Sequence, residues 1–397
     1  MDHELLSPAG DMEKLKAAVY FGADAVYCGG PGLHLRASAA AFDRETLAEG
    51  ISYVHTAGKK IYVALNAFAR GDEIDTLPEY IRFLSSVGAD AVIVSDLGVL
   101  SELRRCAPEL PAHISTQANC TNHAAARQWS ELGAQRVILA RELSVDEIKK
   151  LRDSTPPELE LEAFVHGAMC MAYSGRCLIS AYLAGRDSNR GDCAQPCRWN
   201  YRLTEEKRPG EYFEIEEDGR GTTILSSRDL CALELLDELK AAGICSFKIE
   251  GRMKSPYYTA TVTNAYRRAL DGSADKETLM KELMCASHRE FSTGFYHGSI
   301  KKEPPAHDGY MQDCIFAASV KAGRRGELYE LEQRNRFSLG QRMELLSPHS
   351  LGESFALEYM ENEDGERIKD ALHPMQRVYV RSPLKLSEGD MLRIRLQ

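Results

Sequence analysis

Four cysteines stand close together in the chain with the pattern Cys-x6-Cys-x15-Cys-x3-Cys, at Cys170, Cys177, Cys193 and Cys197. The chain has 11 cysteines in 397 residues, so an even distribution would place fewer than one in a stretch of this length. Thiolates are soft ligands that suit iron–sulfur clusters or zinc. Structural zinc sites usually pair cysteines roughly two to four residues apart, and only the last pair fits that spacing. The pattern therefore favours an iron–sulfur cluster, with [4Fe–4S] the expected type and zinc the alternative.

The residues around these cysteines suit a loop that wraps a cofactor. Glycines would let the backbone approach it closely, and arginines could offset the negative charge of a thiolate-ligated cluster. They are Gly167, Gly175, Gly185, Gly191, Arg176, Arg186, Arg190 and Arg198. Cys231 and Cys28 are alternate ligands, since either could replace one of the four. The competing interpretation is four unrelated buried thiols, because cysteine is often buried.

A repeated pattern of helix, glycine and short apolar run predicts the elements that position these residues. In Gly22–Tyr27, Gly88–Ser95, Gly133–Leu139 and Gly243–Ile249, a glycine suited to ending a helix precedes a strand-like run. Eight strands are predicted, at 4–7, 25–28, 60–66, 91–96, 111–117, 136–141, 160–166 and 246–250. Helices are predicted between most of them, at 11–21, 120–131, 144–152, 229–242 and 255–271. Eight such units in about 270 residues favour a closed, TIM-like (β/α)8 barrel over an open doubly wound sheet.

Two stretches depart from the barrel pattern. About 80 residues separate the seventh strand from the eighth, and since loops of that length are usually functional, a Cys-bearing insertion at 167–240 is expected to carry the chemistry. From Tyr310 onward, short strands separated by turns predict a small antiparallel β-barrel. Its strands are predicted at 314–320, 328–331, 341–346, 355–360, 376–381 and 391–396. The predicted domains are a barrel at 1–290 and a C-terminal β-barrel module at 305–397.

Polar residues stand at the carboxyl ends of the predicted strands, where a barrel places its chemistry. Arg252, close behind Glu250 at a strand exit, could grip a carboxylate or phosphate, and Arg141 could do the same. His166 could act as an acid–base group. The candidate catalytic residues are His166, Glu250 and Arg252, and the candidate substrate-binding residues are Arg141, Arg252, Asn66, Gln117 and Arg176. The alternatives are salt bridges that close the barrel mouth and a hydrogen-bonded buried imidazole.

Composition and charge narrow the class of protein. A hydrophobic content of 44% and a charged content of 27% are typical of a globular chain. The net charge of −10 argues against a sequence-blind nucleic-acid coat, although an enzyme could still recognise one RNA with a local basic patch. No signal-peptide pattern and no apolar run of about 18 residues occur, so a cytoplasmic protein without a membrane span is expected. The H-E-x-x-H, G-x-S-x-G and Walker A motifs are also absent.

Six segments resemble one known family in their order and spacing. They are Leu5–Gly10, Gly22–Tyr27, Phe164–Cys170, Tyr173–Cys177, Gly191–Trp199 and Phe247–Arg252. Arg334–Ser338 resembles the C-terminal module of the same family. The family is that of the collagenase-like peptidases of unassigned mechanism, the peptidase U family, and the resemblance runs from near the start of the chain to its end.

The resemblance implies an activity that the family name does not suggest. The better-understood branches are oxygen-independent hydroxylases that carry a cysteine-bound iron–sulfur cluster and take the hydroxyl oxygen from prephenate. One branch modifies the wobble uridine of tRNA, one a cytidine of ribosomal RNA and one the ubiquinone ring. The length and the C-terminal module here resemble the tRNA branch, which implies tRNA as partner and prephenate as co-substrate. Cys170, Cys177 and Cys193 match the family's cluster thiolates, whereas the fourth ligand differs between branches.

Three functions compete at this point. The first is an iron–sulfur tRNA hydroxylase. The second is a true collagenase-like peptidase. A peptidase needs an activated nucleophile or a metal-bound water, and the sequence contains no motif that indicates either one. The third is a non-catalytic RNA-binding or partner subunit whose loop is held by zinc. An accessory subunit or a homo-oligomer is compatible with each of them.

Overall fold

The computed structural model describes residues 3–31, 42–170, 172–199, 216–218, 221–223, 228–298 and 309–396. The chain packs as two compact units that do not simply follow chain order. Unit 1 comprises Met1–Leu15, Ala23–Lys254 and Arg289–Tyr310, and unit 2 comprises Lys16–Gly22, Ser255–His288 and Met311–Gln397. The predicted limits of 1–290 and 305–397 were drawn along the chain and stay a prediction. Among the described helices, none has the length and apolar character that crossing a membrane requires.

Strands and helices alternate along most of unit 1. In chain order the elements up to the end of the barrel are β1 (Glu4–Pro8), α1 (Met12–Tyr20, shared with unit 2), β2 (Ala25–Gly29), α2 (Arg44–Thr56), β3 (Lys60–Leu65), α3 (Gly71–Ser86), β4 (Ala91–Val94), α4 (Leu97–Cys106), β5 (Ala112–Ile114), α5 (His123–Glu131), β6 (Arg136–Ile138), α6 (Val145–Asp153), β7 (Glu160–Ala168), α7 (Ile179–Ala184), β8 (Glu216–Asp218), β9 (Gly221–Thr223), β10 (Asp229–Cys231), α8 (Leu236–Ala241) and β11 (Ser246–Ile249). Short 3-10 turns lie at Thr116–Ala118, Ser188–Arg190, Pro196–Arg198 and Leu233–Leu235.

Eight parallel strands close into a barrel. Strands β1 to β7 pair in sequence order, and β11 pairs with both β1 and β7. Phe247 on β11 stands opposite Leu5 on one side and Ala163 on the other, so no edge is left between the first and last strands. Closure confirms the predicted TIM-like barrel over the open sheet, and each of the eight predicted strands is present.

The barrel follows from the local pattern of the chain. Gly22, Gly88, Gly133 and Gly243 all have positive φ angles, between 82° and 98°, as expected for glycines that end helices. The strands that follow them are almost wholly buried. Asp11 caps α1 as predicted, since its carboxylate accepts a hydrogen bond from the Lys14 amide at 2.9 Å. The local sequence of each of these segments thus favours the structure that the segment adopts in the barrel.

The start of the predicted helix at 229–242 is a strand instead. Asp229–Cys231 forms β10, which pairs antiparallel with the end of β7, and only Leu236–Ala241 is α-helical. Strand β7 runs past the barrel, so its last backbone groups need partners that β10 supplies. Asp229 is buried in an ion pair with Arg289 at 2.7 Å. A further strand of unit 1, β12 (Phe291–Ser292), follows the helices of unit 2 in the chain and pairs with β10 in parallel.

Unit 2 combines helices with an antiparallel sheet. The strand at Phe291–Ser292 is β12 and belongs to unit 1. The elements of unit 2 are α9 (Pro256–Asp271), α10 (Lys276–Met284), β13 (Cys314–Arg325), β14 (Leu328–Gln333), β15 (Phe337–Ser338), β16 (Arg342–Leu346), β17 (Ser354–Ala356), β18 (Met360–Glu361), β19 (Asp370–Ala371), β20 (Arg377–Val380) and β21 (Met391–Arg395). Seven strands pair in the order β17-β16-β21-β13-β14-β20-β18, which confirms the antiparallel module. The single strand predicted at 355–360 is two short strands, and β17 and β18 do not pair with each other within the described residues.

A buried arginine ties the helical part of unit 2 to its sheet. The Arg393 guanidinium is fully buried, and its Nη2 donates to both carboxylate oxygens of Glu282 at 2.7 Å. Its Nε donates to Glu344 at 2.9 Å. The network joins α10 to β16 and β21.

We expect Arg393→Met to lower the free energy of unfolding by about 3–5 kcal/mol, because Glu282 would keep a buried charge without its partner. Arg395→Met is the matched control: its side chain is 43% exposed beside Glu344, so its loss should cost less than about 1 kcal/mol. Urea denaturation followed by circular dichroism measures both. An equal loss of unfolding free energy in the two variants would contradict a special stabilising role for the buried Arg393.

Candidate functional site

A cavity of about 150 Å³ lies where the carboxyl ends of several barrel strands meet. Asn66, Gln117 and Arg141 follow β3, β5 and β6, and all three line it. Ala168 ends β7, and Glu250 follows β11. The cavity is therefore at the carboxyl-terminal face of the barrel, where the functional residues were predicted from the sequence.

Three of the four clustered cysteines open into this cavity. Cys170, Cys193 and Cys197 line it, so residues far apart in the chain converge on one space. The Gln195 amide donates a hydrogen bond to the Cys193 Sγ at 3.3 Å. Amide donors to sulfur are one of the ways in which proteins tune cluster thiolates. Three thiols in one lining are the donor type that soft metal centres prefer.

Cys177 lies outside the cavity lining but belongs to the same segment. Its carbonyl accepts hydrogen bonds from the Ser188 hydroxyl at 2.6 Å and the Asn189 side-chain amide at 2.9 Å. Its own amide donates to the Asn189 side-chain oxygen at 3.2 Å. These contacts hold the backbone at Cys177 against Ser188 and Asn189, which precede Cys193 in the chain.

The alternate ligands lie elsewhere. Cys28 is fully buried on β2, and burial raises the pKa of its thiol to about 12 even though Arg252 opposes the shift. Cys231 is buried on β10, opposite His166. Neither lines the cavity. Across the described parts of the chain, no three His, Cys, Asp or Glu side chains converge on a single ion position, so the identity of the ligands stays a prediction.

The candidate polar residues divide between the cavity and its surroundings. Asn66, Gln117, Arg141, Glu250 and Arg252 line the cavity together. His166 is buried, with its ring edge-on to Phe291 at 5.3 Å, and does not line it. Arg176 is exposed with its guanidinium over the Phe68 ring, also away from the lining. The catalytic and substrate-binding roles themselves are still predictions.

Arg141 is oriented by fixed contacts at the mouth. Its Nη1 donates to the Ala168 carbonyl at 3.0 Å and its Nη2 to the Ser174 hydroxyl at 3.1 Å. The guanidinium also lies over the Phe164 ring at 5.2 Å. Gln117 sits on a tight turn, and its side-chain oxygen is buried without a hydrogen-bond partner among the described residues. The mouth thus presents one anchored cation and one amide.

The sequence missed a cation inside the barrel. Lys248 is buried, lines the cavity, and donates to Glu162 at 2.9 Å. Burial lowers the pKa of its ammonium, and the negative charge of Glu162 opposes that shift. The signal was available: Ser246, Lys248 and Glu250 alternate with apolar Phe247 and Ile249, the period-two pattern of a strand with one polar face.

Below Lys248 the barrel interior holds a layer of paired charges. Arg136 donates to Glu162 at 3.0 Å and to Glu160 at 2.7 Å, and it also pairs with Glu4. Burial alone would raise the pKa of Glu4, but the charge and hydrogen bonds of Arg136 hold that pKa below its usual range. Together with Lys248, which also pairs with Glu162, this layer sets two cations against three carboxylates. The lining of the cavity above this layer carries the guanidinium groups of Arg141 and Arg252 and one carboxylate, Glu250, and two guanidinium groups suit an anionic ligand.

Comparison with known proteins gives a consistent result. The model of peptidase family U32 matches residues 10–304, and that of the peptidase family U32 C-terminal domain matches residues 312–393. The tRNA hydroxylation protein P of Escherichia coli (strain K12) is 37% identical over 411 residues, covering 92% of this chain and 90% of that protein. The tRNA hydroxylation protein P1 of Bacillus subtilis (strain 168) is 36% identical over 400 residues, covering 98% and 94%.

A further relative carries a different RNA in its name. The 23S rRNA 5-hydroxycytidine C2501 synthase of Escherichia coli (strain K12) is 40% identical over 268 residues, covering 68% of this chain and 39% of that protein. The resemblance predicted from the six sequence segments, including the likeness to the tRNA branch, is confirmed. With both family models matched along nearly the whole chain, this protein belongs to peptidase family U32.

Proposed function

We propose that this chain is an RNA-modifying enzyme that hydroxylates a uridine of tRNA with an iron–sulfur cofactor and prephenate as oxygen donor. The relatives that match over 92% or more of the chain are named for tRNA hydroxylation. The observation that carries the proposal is that Cys170, Cys193 and Cys197 open into the same cavity as Arg141, Lys248 and Arg252. Soft thiol ligands and cationic side chains thus share one space.

The cluster would be held by Cys170, Cys177, Cys193 and Cys197, with Cys231 and Cys28 as alternates for the fourth position. Such a cluster supplies redox and Lewis-acid chemistry to a donor bound next to it. The role of the chain is to hold the donor and the base close to it. Zinc in the same four thiols is the alternative cofactor, and it would support only the binding role.

The cations of the cavity would bind the donor. Prephenate carries two carboxylates, and arginine grips a carboxylate through two parallel hydrogen bonds. Arg252 is mostly buried and Lys248 is buried at the inner wall, so both would act where water is scarce. Arg141 is already anchored at the rim by Ala168 and Ser174. The donor would lie with its carboxylates toward these three groups.

The target base would enter from the open face. Chemistry on a base requires that the base leave its stack, which costs least in a single-stranded loop. Asn66 and Gln117 are two of the side-chain amides that line the cavity, and they could hydrogen-bond the edge of the base. The Tyr27 hydroxyl donates to the Ile249 carbonyl at 2.9 Å and lies 3.4 Å from Glu250, which would be the carboxylate that exchanges a proton in the cavity.

The peptidase function has less support. A cysteine peptidase would need a histidine beside its thiol. His166, the histidine singled out from the sequence, packs against Phe291 and stands opposite Cys231, and both are buried outside the cavity that three other cysteines line.

Mass spectrometry of tRNA tests the proposal directly. Nucleosides from a deletion strain should lack the hydroxylated uridine, and the modification should return with the wild-type gene. Purified protein with its cofactor should hydroxylate the same tRNA only when prephenate is supplied. Unchanged uridine hydroxylation in a strain without a redundant enzyme would refute it.

The buried pair of Lys248 and Glu162 predicts how donor binding depends on pH. Because burial lowers the pKa of Lys248, its positive charge is lost at a lower pH than that of an exposed lysine, and the KM for prephenate should rise as pH increases through this range. Glu162→Gln removes the charge that opposes the shift, so the rise should begin at a lower pH. Lys248→Met, the control, should show a high KM without this transition. Superimposable profiles for wild type and Glu162→Gln would contradict the prediction.

A further inference from the structure

Exposed apolar side chains concentrate in the segment that carries the cysteines. Of the 14 large hydrophobic side chains that are exposed in the described residues, six lie between residues 173 and 199. They are Tyr173, Leu178, Ile179, Tyr182, Leu183 and Trp199, and we call this set the α7 platform. Tyr182 is 89% exposed and Leu178 70% exposed. A concentration of exposed apolar groups commonly marks a binding surface.

Hydrogen bonds connect the platform to the segment that lines the cavity. Ser180 is the buried residue of α7, and its hydroxyl accepts a hydrogen bond from the Ala194 amide at 2.9 Å, next to Cys193. The Trp199 indole donates to the Ala194 carbonyl at 3.2 Å. Leu178 and Tyr182, one helical turn apart, remain on the solvent side. The exposed rings therefore stand on the segment whose thiols line the cavity.

The charge around the platform indicates the chemistry of its partner. The chain as a whole carries a net charge of −10, but the segment from 172 to 199 contains four arginines and only two acidic residues. Asp187 and Asp192 are ion-paired with Arg70 and Arg186, and Arg190 is ion-paired with Glu73, so these three pairs are neutral. Arg176 is exposed beside Tyr173 in the sequence. Aromatic rings interleaved with arginines are what single-stranded nucleic acids stack on.

We propose that the α7 platform binds the single-stranded loop of the RNA substrate by stacking the bases that flank the target nucleotide. The inference rests on the proposed function for the identity of the RNA. Tyr182 and Trp199 supply the ring faces, and the exposed Arg176 approaches the phosphates. The base between the stacked neighbours is then next to the mouth of the cavity. A second copy of this chain or a protein partner would instead use the platform as an apolar contact.

Binding and kinetics of the cofactor-loaded protein test this inference. The probe is a synthetic anticodon stem–loop with a fluorophore at its 5′ end, followed by fluorescence anisotropy. Tyr182→Ala and Trp199→Ala should each weaken binding by about 5- to 100-fold, the usual effect of removing one stacking ring, and raise the KM for tRNA similarly. The iron content and the KM for prephenate should not change. Tyr182→Phe should bind as the wild type does, and Tyr53→Ala, an exposed tyrosine on α2, is the matched control.

The outcomes separate this inference from the proposed function. If the wild type hydroxylates tRNA and the alanine variants bind and react as well as it does, the RNA-binding role of the α7 platform is refuted and the proposed hydroxylase function is retained. If Tyr182→Ala loses loop binding but no wild-type preparation modifies RNA, the platform stands and the hydroxylase function fails. A change of oligomeric state in sedimentation, with RNA binding unaltered, would assign the surface to a second copy and overturn the inference.

Discussion

Serine in place of Cys193 is expected to remove most of the iron and acid-labile sulfide from protein purified without oxygen. Cys193 lines the cavity, and its sulfur already accepts a backbone hydrogen bond from Gln195. A serine hydroxyl is a harder donor than a thiolate and holds iron–sulfur clusters poorly. Loss of even an outer partner of a metal ligand lowers affinity about 10- to 100-fold, so loss of a ligand should leave less than about a tenth of the wild-type iron.

The remaining cysteines make the experiment specific. Serine at Cys170, Cys177 or Cys197 should have the same effect, whereas Cys106→Ser, on α4 and apart from the cavity, should keep full iron content. If Cys197→Ser retains iron, Cys231 and Cys28 are the substitutions to make next. Wild-type protein that takes up zinc or no metal after anaerobic reconstitution would contradict the cofactor and favour the binding-subunit function.

Replacing Arg252 by methionine is expected to lower kcat/KM for prephenate by roughly 30-fold to several-thousand-fold. Arg252 is mostly buried at the cavity wall, where its guanidinium lies over the Tyr27 ring at 5.9 Å. Truncating one partner of a desolvated charge pair costs about 2–5 kcal/mol, because the other charge is then buried unpaired. The loss should therefore appear chiefly in the kinetics of the donor.

Controls distinguish a binding role from a structural one. Arg252→Lys keeps the charge but not the two parallel hydrogen bonds, so it should recover only part of the activity. Arg105→Met, on the exposed face of α4, should react as the wild type does. The iron content of every variant should match the wild type. A loss of kcat/KM for tRNA alone, with prephenate kinetics intact, would place Arg252 in RNA binding instead.

The barrel could be predicted from the chain because its pattern is local. Helix-ending glycines, buried β-branched runs and helical periodicity are each visible in windows of a few residues, and the local preferences agree with one another. The clustering of Cys170, Cys177, Cys193 and Cys197 is likewise a property of neighbouring positions. The strand at 229–231 escaped prediction because it forms only to satisfy the end of β7, a partner that lies more than 60 residues earlier.

The composition of the cavity depended on contacts between distant residues. Lys248 meets Glu162 across 86 positions of the chain, and Arg136 meets Glu4 across 132. Those separations are set by barrel closure, and no local pattern encodes which strand ends will face each other. His166 illustrates the same limit: it ends a predicted strand like the others, yet pairing with β10 and packing against Phe291 keep it out of the cavity.

The amino-acid sequence alone was enough to predict the fold class, the cysteine segment and the family, because periodicity and motif spacing are properties of the linear sequence. The tertiary structure decided which of the candidate residues share a space. It placed three thiols, three cations and one carboxylate around a single cavity, and it left the rings of the α7 platform exposed beside it. Burial and charge pairing are properties of the closed barrel, since they depend on every strand being in register.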